Sequence, residues 1–248
     1  MFGEVWRRVT SVQPAPSPGL IALTALAAFV LVALPSIWPY TRVMITITHE
    51  GGHAFAALLT GRKLQQIRLH TDTSGLTVSS GRPRGPGMVI MLISGYLAPA
   101  LVGLGAVGLL LAGHSLGLLW LLVIVLGLML LKIRNFYGVV VILVCTAGLL
   151  AVSWYASAPA QSGLAYLITW ILLLASPKPV LELVSQRRRH RTPQSDADQL
   201  GRLSKVPAGL WLTAFLVINS AGLLLGTALL LPALADVAVN LVAQLTAA

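Results

Sequence analysis

The chain has 248 residues, 56% of them hydrophobic and only 10% charged, with a mean hydropathy of +0.85. A soluble domain is about half apolar and about a quarter charged, so these figures exclude a water-soluble globule and point to a protein whose core is completed by lipid. A net charge of +10 would suggest nucleic acid in a soluble protein; here Lys and Arg fall between apolar runs, where membrane topology accounts for them and no nucleic-acid partner is implied.

In chain order, Arg7 and Arg8 precede an apolar run that continues to about Tyr40, which reads as an uncleaved anchor rather than a cleaved signal. Apolar runs at about 19–40, 43–60, 88–112, 116–131, 135–156, 161–177 and 206–231 approach the ~20 residues that cross roughly 30 Å of hydrocarbon as a helix. The second is the least regular, because it carries Arg42, His49, Glu50 and His53. Between the second and third, Leu64 to Ser80 reads as a β-hairpin turning at Asp72-Thr73-Ser74-Gly75, with Ile67 and Leu69 alternating against Arg68 and His70. The segment Gly81-Arg82-Pro83-Arg84-Gly85-Pro86-Gly87 then breaks regular structure. Ser185 to Lys205 is polar and basic, a loop or an interfacial helix.

The expected fold class is an all-α polytopic membrane protein of about seven transmembrane helices with a small cytoplasmic β-hairpin near 64–80. The chain reads as one integral membrane domain over 1–248, partnered by the lipid bilayer. Alternating sides from a cytoplasmic N-terminus puts every Lys and Arg inside except Arg42. The single Cys145 lies in the middle of a run and reads as a small buried apolar residue.

The second run contains His49-Glu50-Gly51-Gly52-His53. Helical residues four apart share a face, so both imidazoles can address one ion while Glu50 sits beside it. With 5 His in the chain, His-Glu-x-x-His is expected by chance on the order of one time in a thousand. Ionisable groups inside an apolar span are costly and are functional by default, which favours a zinc site over hydrogen bonding between helices. Gly51 and Gly52 leave room for another helix to approach. A catalytic zinc takes three protein ligands, and the third must come from elsewhere: Glu182, Asp196 and Asp198 cluster after the sixth run, while Glu4, Asp72 and Asp236 lie near loops or ends.

These residues resemble the site-2 protease family of intramembrane zinc metallopeptidases, in its divergent bacterial branch. The resemblance rests on Thr48-His49-Glu50-Gly51-Gly52-His53-Ala54 with Gly61, on Ser94-Gly95-Tyr96, on Arg134-Asn135-Phe136-Tyr137-Gly138, and on Ser195-Asp196-Ala197-Asp198-Gln199-Leu200 followed by Pro207 and Trp211. It implies a catalytic core over 41–215, Zn2+ held by His49, His53 and Asp196, and Glu50 as general base, with Asp198 the reserve for the third ligand. It further implies hydrolysis of peptide bonds in a transmembrane protein substrate, by a multi-pass protein of a bacterial plasma membrane. Better-known members set the Asp in an Asp-Gly pair within an apolar span, whereas here it lies in a polar segment near Arg191 and Arg202. Asn135 is a candidate oxyanion donor, against simple helix capping, and the hairpin edge a candidate acceptor of a substrate strand. An inactive membrane scaffold that retains the motif, and a transporter, are the competing function classes.

Overall fold

A computed structural model describes residues 2–189 and 195–232. The elements are α1 (Phe2–Thr10), α2 (Pro18–Ala33), α3 (Trp38–Leu59), β1 (Lys63–Leu69), β2 (Gly75–Ser80), α4 (Pro86–Leu111), α5 (Ser115–Leu130), α6 (Phe136–Tyr155), α7 (Ala158–Ala175), α8 (Lys178–Arg189), α9 (Asp196–Ser204) and α10 (Ala208–Leu230). Of the residues named from sequence, Arg191 and Asp236 lie outside the described residues.

Seven apolar helices coincide with the seven apolar runs. α2 starts beside α7, with Leu20 against Gly163, and ends where the Lys178 ammonium reaches the Val32 carbonyl at 2.5 Å. Leu34 is then extended, as the residue before a proline prefers, and Pro35 cannot donate to continue the helix. The chain turns by 100° into α3, which ends with Thr60 against Gly87 in the first turn of α4. α3 therefore ends beside the start of α4, while α2 starts beside the start of α7. Four helical segments, 86–111, 136–155, 158–188 and 208–230, are each long and apolar enough to cross a membrane, and the bent pair makes a fifth if it is counted as one span. The 16-residue α5 also runs from end to end.

Two sets of contacts define those ends. At one, Gln13 N donates to the Gly113 carbonyl at 2.8 Å, Leu116 N donates to Gln13 Oε1 at 2.9 Å, and Gln13 Nε2 donates to Gln161 Oε1 at 3.1 Å. At the other, Ile67 N donates to the Lys132 carbonyl at 2.8 Å and Arg134 N to the Ile67 carbonyl at 3.0 Å. The N-terminal segment and the hairpin therefore sit at opposite ends of α5. The segment that follows Arg7 and Arg8 thus lies at the far end of α5 from the hairpin, while Arg42 donates to Thr73 of the hairpin turn. The proline-broken turn at 34–37 sets the 100° bend between the two apolar helices.

The hairpin forms as its pattern indicates. Leu64, Ile67 and Leu69 of β1 are buried against Ile47, Ala54, Met129 and Ile142, and a bulge falls between Leu64 and Gln66. Asp72 closes the turn by accepting hydrogen bonds from Ser74 N at 3.0 Å and Ser74 Oγ at 2.7 Å, bonds that hold its carboxyl below the usual range.

Candidate metal centre

α3 is built from residues with weak helix preference, Thr41, Val43, Ile45, Thr46, Ile47 and Thr48. Where backbone groups have no water to bond with, a helix satisfies them internally, and the hydroxyls of Thr46 and Thr48 also bond back to the carbonyls of Arg42 and Met44 at 3.2 and 2.8 Å. One turn of this helix presents His49 and His53, with ring centroids 4.6 Å apart, and the intervening Glu50, only 4% exposed.

Gly52 and Gly95 let α4 close on that turn. A Cβ at Gly52 would fall 2.6 Å from Ala98 Cβ and 2.8 Å from the Ser94 carbonyl, so the close helix approach expected of the glycine pair is made at Gly52. Gly51 meets only Met129, at ordinary contact distance of 3.4 Å. From α4 the Met91 carbonyl lies 2.7 Å from His53 Nδ1. A carbonyl only accepts, so Nδ1 carries the proton and Nε2 is left with a free lone pair. Tyr96 stands edge-on to His49 with ring centroids 4.8 Å apart and stacks on Phe215 at 5.2 Å, while Asn219 Nδ2 donates to the Tyr96 carbonyl at 3.0 Å.

Asp196 is the first residue of α9. Its Oδ2 lies 3.3 Å from His49 Nε2 and 3.2 Å from His53 Nε2, and the two Nε2 atoms are 3.0 Å apart. Zinc bonds of about 2.0–2.1 Å give a tetrahedron with edges of roughly 3.3–3.4 Å, so the observed triangle is close to one face of such a tetrahedron. Three such donors facing one another at these distances could hold a cation between them, and the chemistry of the donor set fits zinc. Among the described residues this is the cluster of His, Cys, Asp or Glu whose geometry suits a metal. Asp196 is thus at once the first residue of a helix and the partner of both histidines.

Asp198 does not join this cluster. Its Oδ2 accepts from Ser195 Oγ at 2.5 Å and from Ser195 N at 3.3 Å, and its Oδ1 pairs with Arg187. Although partial burial works the other way, Arg187 and Ser195 hold the Asp198 carboxyl below its ordinary value. Glu182 is also engaged elsewhere, accepting from Trp38 Nε1 at 2.6 Å and pairing with Arg42 at 3.2 Å.

The hairpin turn covers Glu50. Thr77 Oγ1 donates to Glu50 Oε2 at 2.6 Å, and a Cβ at Gly75 would fall 2.5 Å from Glu50 Oε1. The turn is held to α3 by Arg42 and Thr46, which donate to the hydroxyl and carbonyl of Thr73, each at 2.7 Å. Arg42, His49, Glu50, Thr73, Gly75 and Tyr96 are among the residues lining a cavity of about 180 Å³. Sequence reasoning missed Thr77, Gly75, the Met91 carbonyl and Arg187; none carries a motif, and the only signal was that a hairpin follows the histidine helix.

Asn135 lies away from the cavity. Its Nδ2 donates to the Leu69 carbonyl at 2.6 Å and its Oδ1 accepts from Leu69 N at 3.2 Å, so it serves as a short length of strand along β1. It neither caps α6 by its side chain nor reaches the site, which corrects both readings made from sequence.

A bundle of apolar helices around a half-buried two-histidine, one-aspartate cluster defines a helical membrane protein with a metal-binding type of site. Residues 22–226 match the Peptidase M50B-like family, and the chain belongs to that family, the site-2 protease kind of membrane metallopeptidase. No curated protein and no solved structure matches the chain.

Proposed function

We propose that this protein is an intramembrane zinc metallopeptidase that hydrolyses peptide bonds of membrane-embedded protein substrates. The observation that carries the reading is the triangle of His49 Nε2, His53 Nε2 and Asp196 Oδ2, with sides of 3.0 to 3.3 Å, one residue from a buried Glu50 at the wall of a cavity. His49, His53 and Asp196 hold the metal. When bound, zinc supplies positive charge that acidifies water and polarises a carbonyl.

Glu50 is the general base: its carboxylate takes the proton of the attacking water and returns one to the leaving amine. The Thr77 hydroxyl fixes one carboxylate oxygen, leaving the other to handle the proton. The Met91 carbonyl fixes the tautomer of His53, the usual arrangement behind a metal-ligating histidine. A substrate helix hides its carbonyls in its own hydrogen bonds, so the scissile segment must be extended. The outer edge of β1 is taken by residues 132–135, which leaves β2, the strand against Glu50, as the edge for a substrate strand.

Basic residues concentrate in the half of the bundle that holds the hairpin and the site, and basic loops face the cytoplasm. That half is therefore assigned to the cytoplasmic side of a bacterial plasma membrane and the N-terminal segment to the opposite side, reversing the N-terminal orientation inferred from sequence.

The test is metal analysis and cleavage on purified protein. Wild type is expected to hold about one zinc per chain, and Glu50→Gln to keep the metal while losing cleavage of a transmembrane substrate. Protein that stays metal-free in zinc-containing buffer would overturn the reading. Cleavage unaffected by Glu50→Gln would remove Glu50 from the mechanism.

A further inference from the structure

We propose that Arg187 and Asp198 are positioning residues for the metal centre: their ion pair between α8 and α9 sets Asp196 against the two histidines. This rests on reading the His49, His53 and Asp196 cluster as a zinc site.

An aspartate has two side-chain torsions, so the backbone at the start of α9 decides where the Asp196 carboxylate falls. Two acids two residues apart near a helix start point to different sides, and the structure divides the work between them. Asp196 faces His49 and His53, while Asp198 is the third helical residue of a capping box with Ser195. That box satisfies backbone groups within the first turn of α9. It orients Asp196 within its own helix and ties α9 to nothing else.

The tie comes from the remaining oxygen of Asp198, which pairs with the Arg187 guanidinium on α8. α8 is itself fixed to α3, because Glu182 takes hydrogen bonds from Trp38 and pairs with Arg42. The circuit then closes through α9: Arg42 and His49 lie on one helix, Glu182 and Arg187 on a second, Asp198 and Asp196 on a third. Ala197 and Leu200 hold α9 down against Val180, Leu92 and Phe215, and Trp211 Nε1 donates to Ser204 Oγ at 3.0 Å at the far end of the helix, but apolar burial is non-directional and does not by itself set the rotation of the first turn, where Asp196 lies. A charge-assisted pair with defined geometry does. With side-chain exposures of 30% and 12%, the pair is less screened by salt than one in open solvent.

The experiment measures zinc affinity of the purified full chain in lipid nanodiscs, by competition with a chelator of known affinity, alongside the melting temperature of the zinc-free protein. Arg187→Ala is expected to raise the zinc dissociation constant ~10–100-fold, the usual loss for a partner behind a metal ligand, with the zinc-free melting temperature unchanged. Arg187→Lys, which keeps the charge, is expected to recover part of that loss, and it reads the pair if the alanine variant does not fold. Arg187→Ala combined with Asp198→Ala is expected to bind zinc no more weakly than Asp198→Ala alone. Cobalt-loaded Arg187→Ala is expected to show an altered visible spectrum. An Arg187→Ala affinity within about twofold of wild type, well short of the ~10–100-fold that loss of such a partner brings, or additive effects in the double variant, overturns this assignment and leaves the zinc reading standing. Absence of zinc binding by wild type overturns both.

Discussion

Gly95 on α4 lies so close to His53 on α3 that a Cβ built on it would fall 2.4 Å from both Cε1 and Nε2 of the imidazole, and 2.8 Å from Cε1 of His49. No side chain fits there without displacing the metal-facing atoms of both histidines. Gly95→Ala is therefore expected to weaken zinc binding by at least ~10-fold, as the loss of ligand orientation does, while the helices still form. Zinc content per chain together with circular dichroism checks this. Full zinc content in a folded Gly95→Ala protein would mean that the two helices part more easily than their packing indicates.

Thr77 is a second point of sensitivity. Its hydroxyl donates to Glu50 Oε2 and, at 3.2 Å, to the Glu50 carbonyl. Thr77→Val keeps the shape and removes both bonds, so kcat is expected to fall roughly 10-fold or more, the scale of general acid–base contributions, with zinc content unchanged. Gly75→Ala is expected to act in the same direction by pushing the hairpin turn off Glu50. Steady-state kinetics on a cleavable transmembrane substrate separates these from a binding defect, which would appear in KM.

Metal removal should loosen α9 selectively. Asp196 is the residue of α9 that faces the histidines, and a ligand at ~1,000 times its dissociation constant stabilises the folded state by about 4 kcal/mol. Chelation is thus expected to lower the melting temperature and to raise hydrogen exchange in α9 more than in α7. His53→Ala is expected to melt at the chelated temperature with or without zinc. An α9 that exchanges identically in both states would separate it from the metal.

Asn135 is expected to matter for stability and not for chemistry. Loss of its two bonds to Leu69 in Asn135→Ala costs roughly 1–3 kcal/mol, at about 0.5–1.5 kcal/mol per bond. Thermal melts report this as a loss of stability localised to the hairpin. A large fall in kcat at unchanged stability would restore an oxyanion role for this residue.

The arrangement of ends is open to labelling. In a Cys145→Ala background, Ser11→Cys and Ser80→Cys are expected to react with a membrane-impermeant maleimide from opposite faces of sealed vesicles. Reaction of both from one face would support the seven-crossing alternation instead.

Much of this was legible in the residues. The apolar runs marked the helices because a bilayer demands continuous hydrocarbon-compatible length. Ile67 and Leu69 marked a strand because the period of two is local, and His49, Glu50 and His53 marked one helical face for the same reason. The place of Arg42 beside the hairpin turn was not legible, because side-counting treats each apolar run as a crossing, and whether α3 reverses or continues α2 depends on a turn whose angle is set by packing.

Sequence alone determined a lipid-embedded helical protein carrying two histidines and a glutamate on one turn, since composition and helical spacing are properties of neighbouring residues. Only the tertiary structure decided which acid meets those histidines, which side chain holds the base, and what Asn135 touches. Those outcomes depend on contacts between α3, the hairpin, α8 and α9, elements far apart in the chain, whose relative placement no local pattern encodes.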